Sequence, residues 1–344
     1  MTGHLRERLH HEYWPWYLIY LPVFPLYLYE ALRSRRPAFF CDADPGIEWG
    51  GFFGERKTDI YALLPEGSYP ATVRIAAGTP VHEALRMIAH RGIALPLMVK
   101  PDVGERGRGV QRVDNAEALK ERLHPAAEDL LVQQPARGVH EFGLMFVRDP
   151  GSGRTTLLSI TGKRFLTVAG DGKRTVEQLL RLTYRGARQI GRLRVSAPSL
   201  LSACPPRGEV MLVEPIGNHC RGTSFHDAGH LRTEDLERSV DALVSRIPGV
   251  YYGRFDVRAD SEEALSCGLF EVIELNGVSS EPGHIYDPAY SIWRCWGELL
   301  RHVRHIARVS RHLRNQGLAK TSMRRLLVRC AAHFGWRFPF RSNR

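Results

Sequence analysis

Two short apolar runs constrain this chain more than any other feature: Gly253-Arg-Phe-Asp-Val-Arg258 and Phe270-Glu-Val-Ile-Glu-Leu-Asn276. Both have the length of strands, and residues two apart on a strand point to one face. Arg254, Asp256 and Arg258 therefore share a face, as do Glu274 and Asn276. Two carboxylates and an amide oxygen aimed at one point suit a hard cation such as Mg²⁺ or Mn²⁺. Neighbouring arginines suit phosphate or carboxylate oxygens. An ordinary hairpin with an alternating charged surface would carry the same pattern, so a second signal is needed.

That signal is Leu97-Met-Val-Lys-Pro-Asp-Val-Gly-Glu-Arg-Gly-Arg-Gly-Val110. Leu97 to Val99 reads as a buried strand ending in Lys100, and Pro101 stops the ladder. Gly104, Gly107 and Gly109 then let backbone N–H groups approach an anion. The lysine precedes the glycines, unlike the GxxxxGK[ST] loop, and a strand-like run follows them, unlike a dinucleotide fingerprint. A Gly-rich flap over phosphates fits both facts, and Lys100 adds a point charge.

In this order (strand-Lys-Pro, Gly-rich flap, then Asp…Glu-x-Asn) the chain resembles the ATP-grasp enzymes, in particular the D-alanine–D-alanine ligase and cyanophycin-synthetase-like branch. The likeness covers residues 90 to 290. It implies an α/β (α+β) fold of two subdomains clamping ATP. Asp129-Leu-Leu-Val-Gln-Gln134 is similar to the hinge strand at adenine, with Gln133 or Gln134 where the family usually has glutamate. Glu141 matches a ribose-binding glutamate, and Lys163 a second phosphate lysine. Ala169-Gly-Asp-Gly-Lys-Arg-Thr-Val176 is similar to a segment of the cyanophycin-synthetase type. Arg254 matches the arginine that steadies an acyl phosphate; with Lys163 and Arg258 it makes the expected catalytic set. Lys100, Gly104, Gly107, Gly109, Gln133, Gln134, Glu141 and Lys163 are the expected nucleotide contacts, and Asp256, Glu274 and Asn276 the metal ligands. The ligases' D-alanine-binding residues have no counterpart, and Gly277-Val-Ser-Ser-Glu-Pro-Gly-His284 departs from their pattern. The activity implied is ADP-forming carboxylate–amine (or carboxylate–nucleophile) ligation. A small-molecule kinase and a non-catalytic nucleotide-binding scaffold are the alternatives.

Charge locates the attachment elements. Residues 301–344 hold eleven arginines and one lysine with no Asp or Glu, which leaves residues 1–300 near neutrality. A near-neutral body argues against nucleic acid as partner. Met323 to Trp336 mixes apolar residues and arginines at helical spacing, as a basic amphipathic helix on an anionic membrane does. Tyr13 to Tyr29 has seventeen uncharged residues with three prolines, five tyrosines and two tryptophans. It reads as an interfacial or re-entrant anchor followed by Arg33, Arg35 and Arg36. An aromatic arm packed on the domain is the alternative. Six scattered cysteines without a CxxC read as reduced, and ATP chemistry implies the cytosol, on the inner face of the plasma membrane. The expected domains are residues 1–40 (membrane-associating), 41–75 (reduced pre-grasp region), 76–300 (ATP-grasp) and 301–344 (basic tail). Expected partners are small-molecule or lipid-linked acids and amines; a homodimer is compatible with the pattern. Asn218, Arg221, His226, Asp227 and His284 are polar candidates for the same cleft, with self-stitched loops as the plainer reading.

Overall fold

The computed structural model describes residue 7 and residues 9–104, 108–124, 127–318 and 321–334. In chain order its strands are β1 (Thr72–Ile75), β2 (Leu97–Pro101), β3 (Gln111–Val113), β4 (Leu130–Gln133), β5 (His140–Arg148) and β6 (Thr155–Arg164). They continue with β7 (Leu166–Ala169), β8 (Val210–Glu214), β9 (Ser224–Asp227), β10 (Tyr252–Ala259) and β11 (Glu271–Asn276). The helices that carry the argument are α1 (Val23–Ser34), α2 (Lys57–Leu63), α3 (Val81–His90), α4 (Ala116–Leu123), α5 (Glu234–Ser245), α6 (Ile292–Asn315) and α7 (Met323–Phe334).

The fold is α+β. A first antiparallel sheet has the order β1-β4-β2-β3, and a second has the order β11-β10-β5-β6-β9. β7 and β8 pair separately, with four short helices between them. α3 and α4 cover one face of the first sheet, where Ile88, Leu119 and Leu123 meet Leu97, Val99 and Val132. α5 covers one face of the second with Leu236, Val240, Leu243 and Val244, spaced as a helix stripe. Thr233 caps that helix, its side chain accepting from the Leu236 N–H, as its type and place in the sequence predict. α4 is capped in the same way by Asn115, whose side chain accepts from the Ala118 N–H.

Strand alternation decides which side of the second sheet does chemistry. On β10, Phe255 and Val257 are fully buried against α5. Arg254, Asp256 and Arg258 take the other face, as a period of two requires. Leu131, on the far side of the first sheet, joins the same core as Phe142 and Phe255 through Ile60 and Tyr61 of α2. That short helix therefore joins the two sheets.

Three features bear on the expected regions and attachment elements. β1 lies at the end of the 41–75 stretch and is an edge strand of the first sheet. Residues 301–315 all belong to α6, whose Leu299, Ile306, Val309 and Leu313 are buried. Several of the tail's arginines act internally: Arg311 pairs with the buried Glu30, and Arg314 donates to the Ser34 carbonyl at 2.9 Å. The aromatic segment also packs on the domain along one side. Tyr27 and Ala31 face α6, and Ile19 is buried with Cys295 and Leu299. Residues 335–344, the end of the expected basic tail, lie outside the described residues.

Two measurements follow from this packing. Phe255 stacks on Phe146 at 4.8 Å between centroids, so Phe255→Ala should cost about 3–5 kcal/mol in denaturant unfolding. His302 is buried on α6 and shares a 2.8 Å hydrogen bond through Nδ1 with the Tyr252 hydroxyl; burial pushes its pKa down to about 3. The unfolded chain takes up that proton first, so this stabilising contribution is full above pH 6.5 and is lost as pH falls below it. Stability should fall by up to about 1.4 kcal/mol per pH unit there, and His302→Gln should flatten that slope.

Candidate active site

β5 lies between β6 and β10, and the register brings the charged side chains into one row. Glu141 is opposite Lys163 on one side and Arg258 on the other. Asp256 is opposite Glu274, and Arg254 is opposite Asn276. The contacts follow. Lys163 Nζ donates to Glu141 at 2.7 Å and lies 3.2 Å from Asp256. Arg254 Nε donates to Asp256 Oδ1 at 2.7 Å, and Arg258 lies 3.5 Å from Glu141. Gly143 makes room for this: a Cβ there would sit 3.1 Å from the Arg254 side chain.

Burying these groups favours their neutral forms, and mutual pairing overrides it. Burial works against the charge of Lys163, yet Asp256 and Glu141 outweigh it and leave its pKa raised. Burial would raise the Asp256 carboxyl, yet Arg254 and Lys163 hold it below the usual range. Lys163 and Asp256 are thus both charged at neutral pH.

The first sheet brings Lys100 and Gln133 to this region. Lys100 Nζ donates to Gln133 Oε1 at 2.9 Å and to the Tyr61 hydroxyl at 2.8 Å. The Tyr61 hydroxyl in turn donates to the Ile273 carbonyl, at the point where the β10–β11 register shifts. A bulge leaves one residue unpaired, and Tyr61 satisfies it while fixing the lysine of the other sheet. Lys57 of α2 donates to the Gly104 carbonyl at 2.6 Å, and burial lowers its pKa, with Glu274 opposing.

The two hinge glutamines part company. Gln133 shares the face of Lys100. Gln134 is held by the loop before β2, accepting from the Ala94 N–H at 3.1 Å and donating to the Pro96 carbonyl at 3.3 Å. Gly109 has a left-handed φ of 72°, and a Cβ there would strike Pro101 at 2.7 Å. Gly107 lies outside the described residues.

The remaining candidates each pack against or bond to neighbours within the fold. Asn218 accepts from the Cys220 N–H at 2.9 Å, so its loop is stitched by its own bonds. Arg221 faces Glu214 at 3.5 Å. Asp227 accepts from the Tyr290 hydroxyl at 2.7 Å and lies 3.3 Å from Arg294. His226 lies against Gly162, and His284 is buried with its backbone N–H on Thr161. Sequence reasoning missed Tyr61, Lys57 and Glu281. The Tyr61–Ile273 bond spans 212 positions, a distance at which residue spacing carries no signal.

The donor set fits Mg²⁺. Asp256, Glu274 and Asn276 offer hard oxygens, each carboxylate oxygen has a second lone pair, and the Asn276 amide nitrogen is buried without a partner. Among the described residues, no group of three His, Cys, Asp or Glu side chains could hold a metal. Two carboxylates and one amide suit an ion that keeps waters and phosphate oxygens as its other ligands.

No protein-family model and no curated protein matches the chain. Solved structures are similar to it at low identity. A D-alanine–D-alanine ligase from Bacillus anthracis has 15% identity and a TM-score of 0.45, over 76% of this chain and 69% of that one. The D-cycloserine synthetase has 17% and 0.41, over 72% and 70%. A bifunctional glutathione synthetase from Pasteurella multocida has 17% and 0.38, over 69% of this chain; the match spans only 34% of that protein.

Lys163 separates two buried carboxylates, so Lys163→Met should destabilise the fold by about 3–5 kcal/mol at pH 7. The deficit should shrink as pH falls through the carboxylate range, because protonation then relieves Asp256, which Lys163 helps hold below the usual range. Unfolding measured at pH 7 and pH 4 checks both.

Proposed function

We propose that the chain is an ADP-forming carboxylate–amine ligase of the ATP-grasp type, acting on small-molecule or lipid-linked substrates at the inner membrane surface. The observation that carries this reading is the hydrogen-bonded row Glu141–Lys163–Asp256–Arg254, set beside the Lys100–Gln133 pair that Tyr61 ties to β11. Lys100 and Lys163 would hold the phosphates, with Gln133 on the nucleotide side and Glu141 at the ribose. Mg²⁺ on Asp256, Glu274 and Asn276 would neutralise phosphate charge. Arg254 uses three N–H groups on Asp256 and the Glu281 carbonyl, which leaves one on each terminal nitrogen for oxygens of the transferring phosphoryl group. Positioning and charge stabilisation of this kind do most of the work in phosphoryl transfer. A substrate carboxylate that accepts the phosphoryl group becomes an acyl phosphate, and an amine displaces the phosphate. The similar ligases and synthetases support this class of reaction.

The membrane reading rests on one side of the arm. Trp16, Tyr17, Leu21, Phe24, Leu28 and Leu32 are exposed, up to 78% at Leu32, and Arg33 and Arg35 lie beside them. Among the described residues no helix is long and apolar enough to cross a membrane. An exposed apolar stripe with flanking arginines suits in-plane binding to anionic lipid.

ADP should be released from Mg-ATP only when an acid and an amine are present together, and Glu274→Gln should reduce that release at least about 100-fold. ADP formed with a single acceptor would favour the kinase. Lys100→Met should weaken Mg-ATP binding at least about 10-fold by calorimetry. Wild-type protein should co-sediment with phosphatidylglycerol vesicles and much less with phosphatidylcholine, and Leu28→Glu with Leu32→Glu should abolish the difference.

A further inference from the structure

The sequence marks Arg254 by its place two before Asp256, but nothing in it marks what holds the far side of the guanidinium. In the fold that support comes from the aromatic arm. Arg254 Nη1 donates to the Glu281 carbonyl at 2.8 Å. The Glu281 side chain is gripped at both oxygens: Tyr20 donates to Oε1, and Tyr286 donates to Oε2 at 3.0 Å. The same loop takes further bonds from the arm: His11 Nε2 pairs with the Ile285 carbonyl at 2.7 Å and His10 Nε2 with the Tyr290 carbonyl at 3.2 Å. Glu12, buried, pairs with Arg185 at 2.6 Å and His219 at 2.7 Å, and His219 stacks on Tyr286 at 4.9 Å. Burial raises the Tyr20 and Tyr286 hydroxyl pKa values, with Glu281 adding to the effect, so both remain donors.

We infer that Tyr20 and Glu281 are positioning residues for Arg254, and that residues 10–20 act as a strut fixing the guanidinium where a transferring phosphoryl group would sit. The inference rests on the ligase reading and deepens it. Among the described residues, Arg254 is hydrogen-bonded on one side to Asp256, which a metal ion would also engage, and on the other to a backbone carbonyl. A carbonyl in a loop is as firm as the loop, and this loop is clamped through the Glu281 carboxylate. Glu281 lies within Gly277–His284, where the chain departs from the ligase pattern, and its anchor is supplied from 261 positions away. Neither residue reaches the Lys100–Gln133 side of the nucleotide.

The test separates nucleotide binding from support of the phosphoryl position. Mg²⁺·ADP is titrated into the full-length chain alone and with aluminium fluoride, which mimics the phosphoryl group in flight. The wild type should bind the fluoride complex at least about 10-fold tighter than Mg²⁺·ADP, and Arg254→Lys should lose most of that gain. Tyr20→Phe, which keeps the ring, and the isosteric Glu281→Gln should each cut the gain at least about 5-fold. Both should leave Mg²⁺·ADP affinity within about 2-fold of wild type, a split that general loosening of the fold would not give. Full gain in both variants, or no gain in the wild type, would overturn the inference while leaving the nucleotide site in place. A wild-type chain that does not bind Mg²⁺·ADP would overturn the ligase reading, and the inference with it.

Discussion

The buried row of charges on the second sheet is the constraint to which the rest of the structure answers. Charged groups taken out of water are costly unless paired and hydrogen-bonded. Lys163, Arg254 and Arg258 face Glu141, Asp256 and Glu274 across four strands. The pairing depends on register: a slip of one residue in β10 would send Arg254 and Asp256 into the α5 core and bring Phe255 out. The apolar alternation that packs α5 and the polar alternation that builds the site are therefore one specification read from two sides.

A second consequence concerns the junction between the sheets. α2 is only seven residues long, yet it contributes Ile60 and Tyr61 to the main core, Tyr61 to the Lys100 amine and the β11 carbonyl, and Lys57 to the start of the glycine loop. Its first turn is tied to the first sheet: Thr58 donates from N and Oγ1 to Asp102 at 2.8 and 2.7 Å. Arg56 bridges Asp102 and Asp129. This helix thus ties Lys100 of the first sheet to β11 of the second through one tyrosine hydroxyl.

Most of this framework was legible in the residues. Period-two alternation placed Arg254, Asp256, Arg258, Glu274 and Asn276 on one face, and the strand-Lys-Pro run placed Lys100. Side chains whose partners lie far along the chain were not legible. Tyr61, Glu281 and Tyr20 look like ordinary residues until the fold closes. The aromatic arm was ambiguous for a different reason: one face packs on α6 and the other stays bare, and composition alone averages the two. In the arginine-rich tail, charge counting does not see that Arg311 and Arg314 are paired with Glu30 and the Ser34 carbonyl.

The arm also sets an order on biosynthesis. Residues 10–31 find their partners at Glu281, Ile285, Tyr290, Cys295, Leu299 and Arg311. A ribosome makes the arm some 250 residues before the surface that receives it. At roughly 5–20 residues per second, the nascent chain carries a naked Tyr-, Trp- and Leu-rich segment for tens of seconds. Throughout that interval neither side of the arm has a folded surface to rest on. Whatever shelters it during synthesis, whether a holding chaperone or a bilayer surface, meets the arm before the domain does.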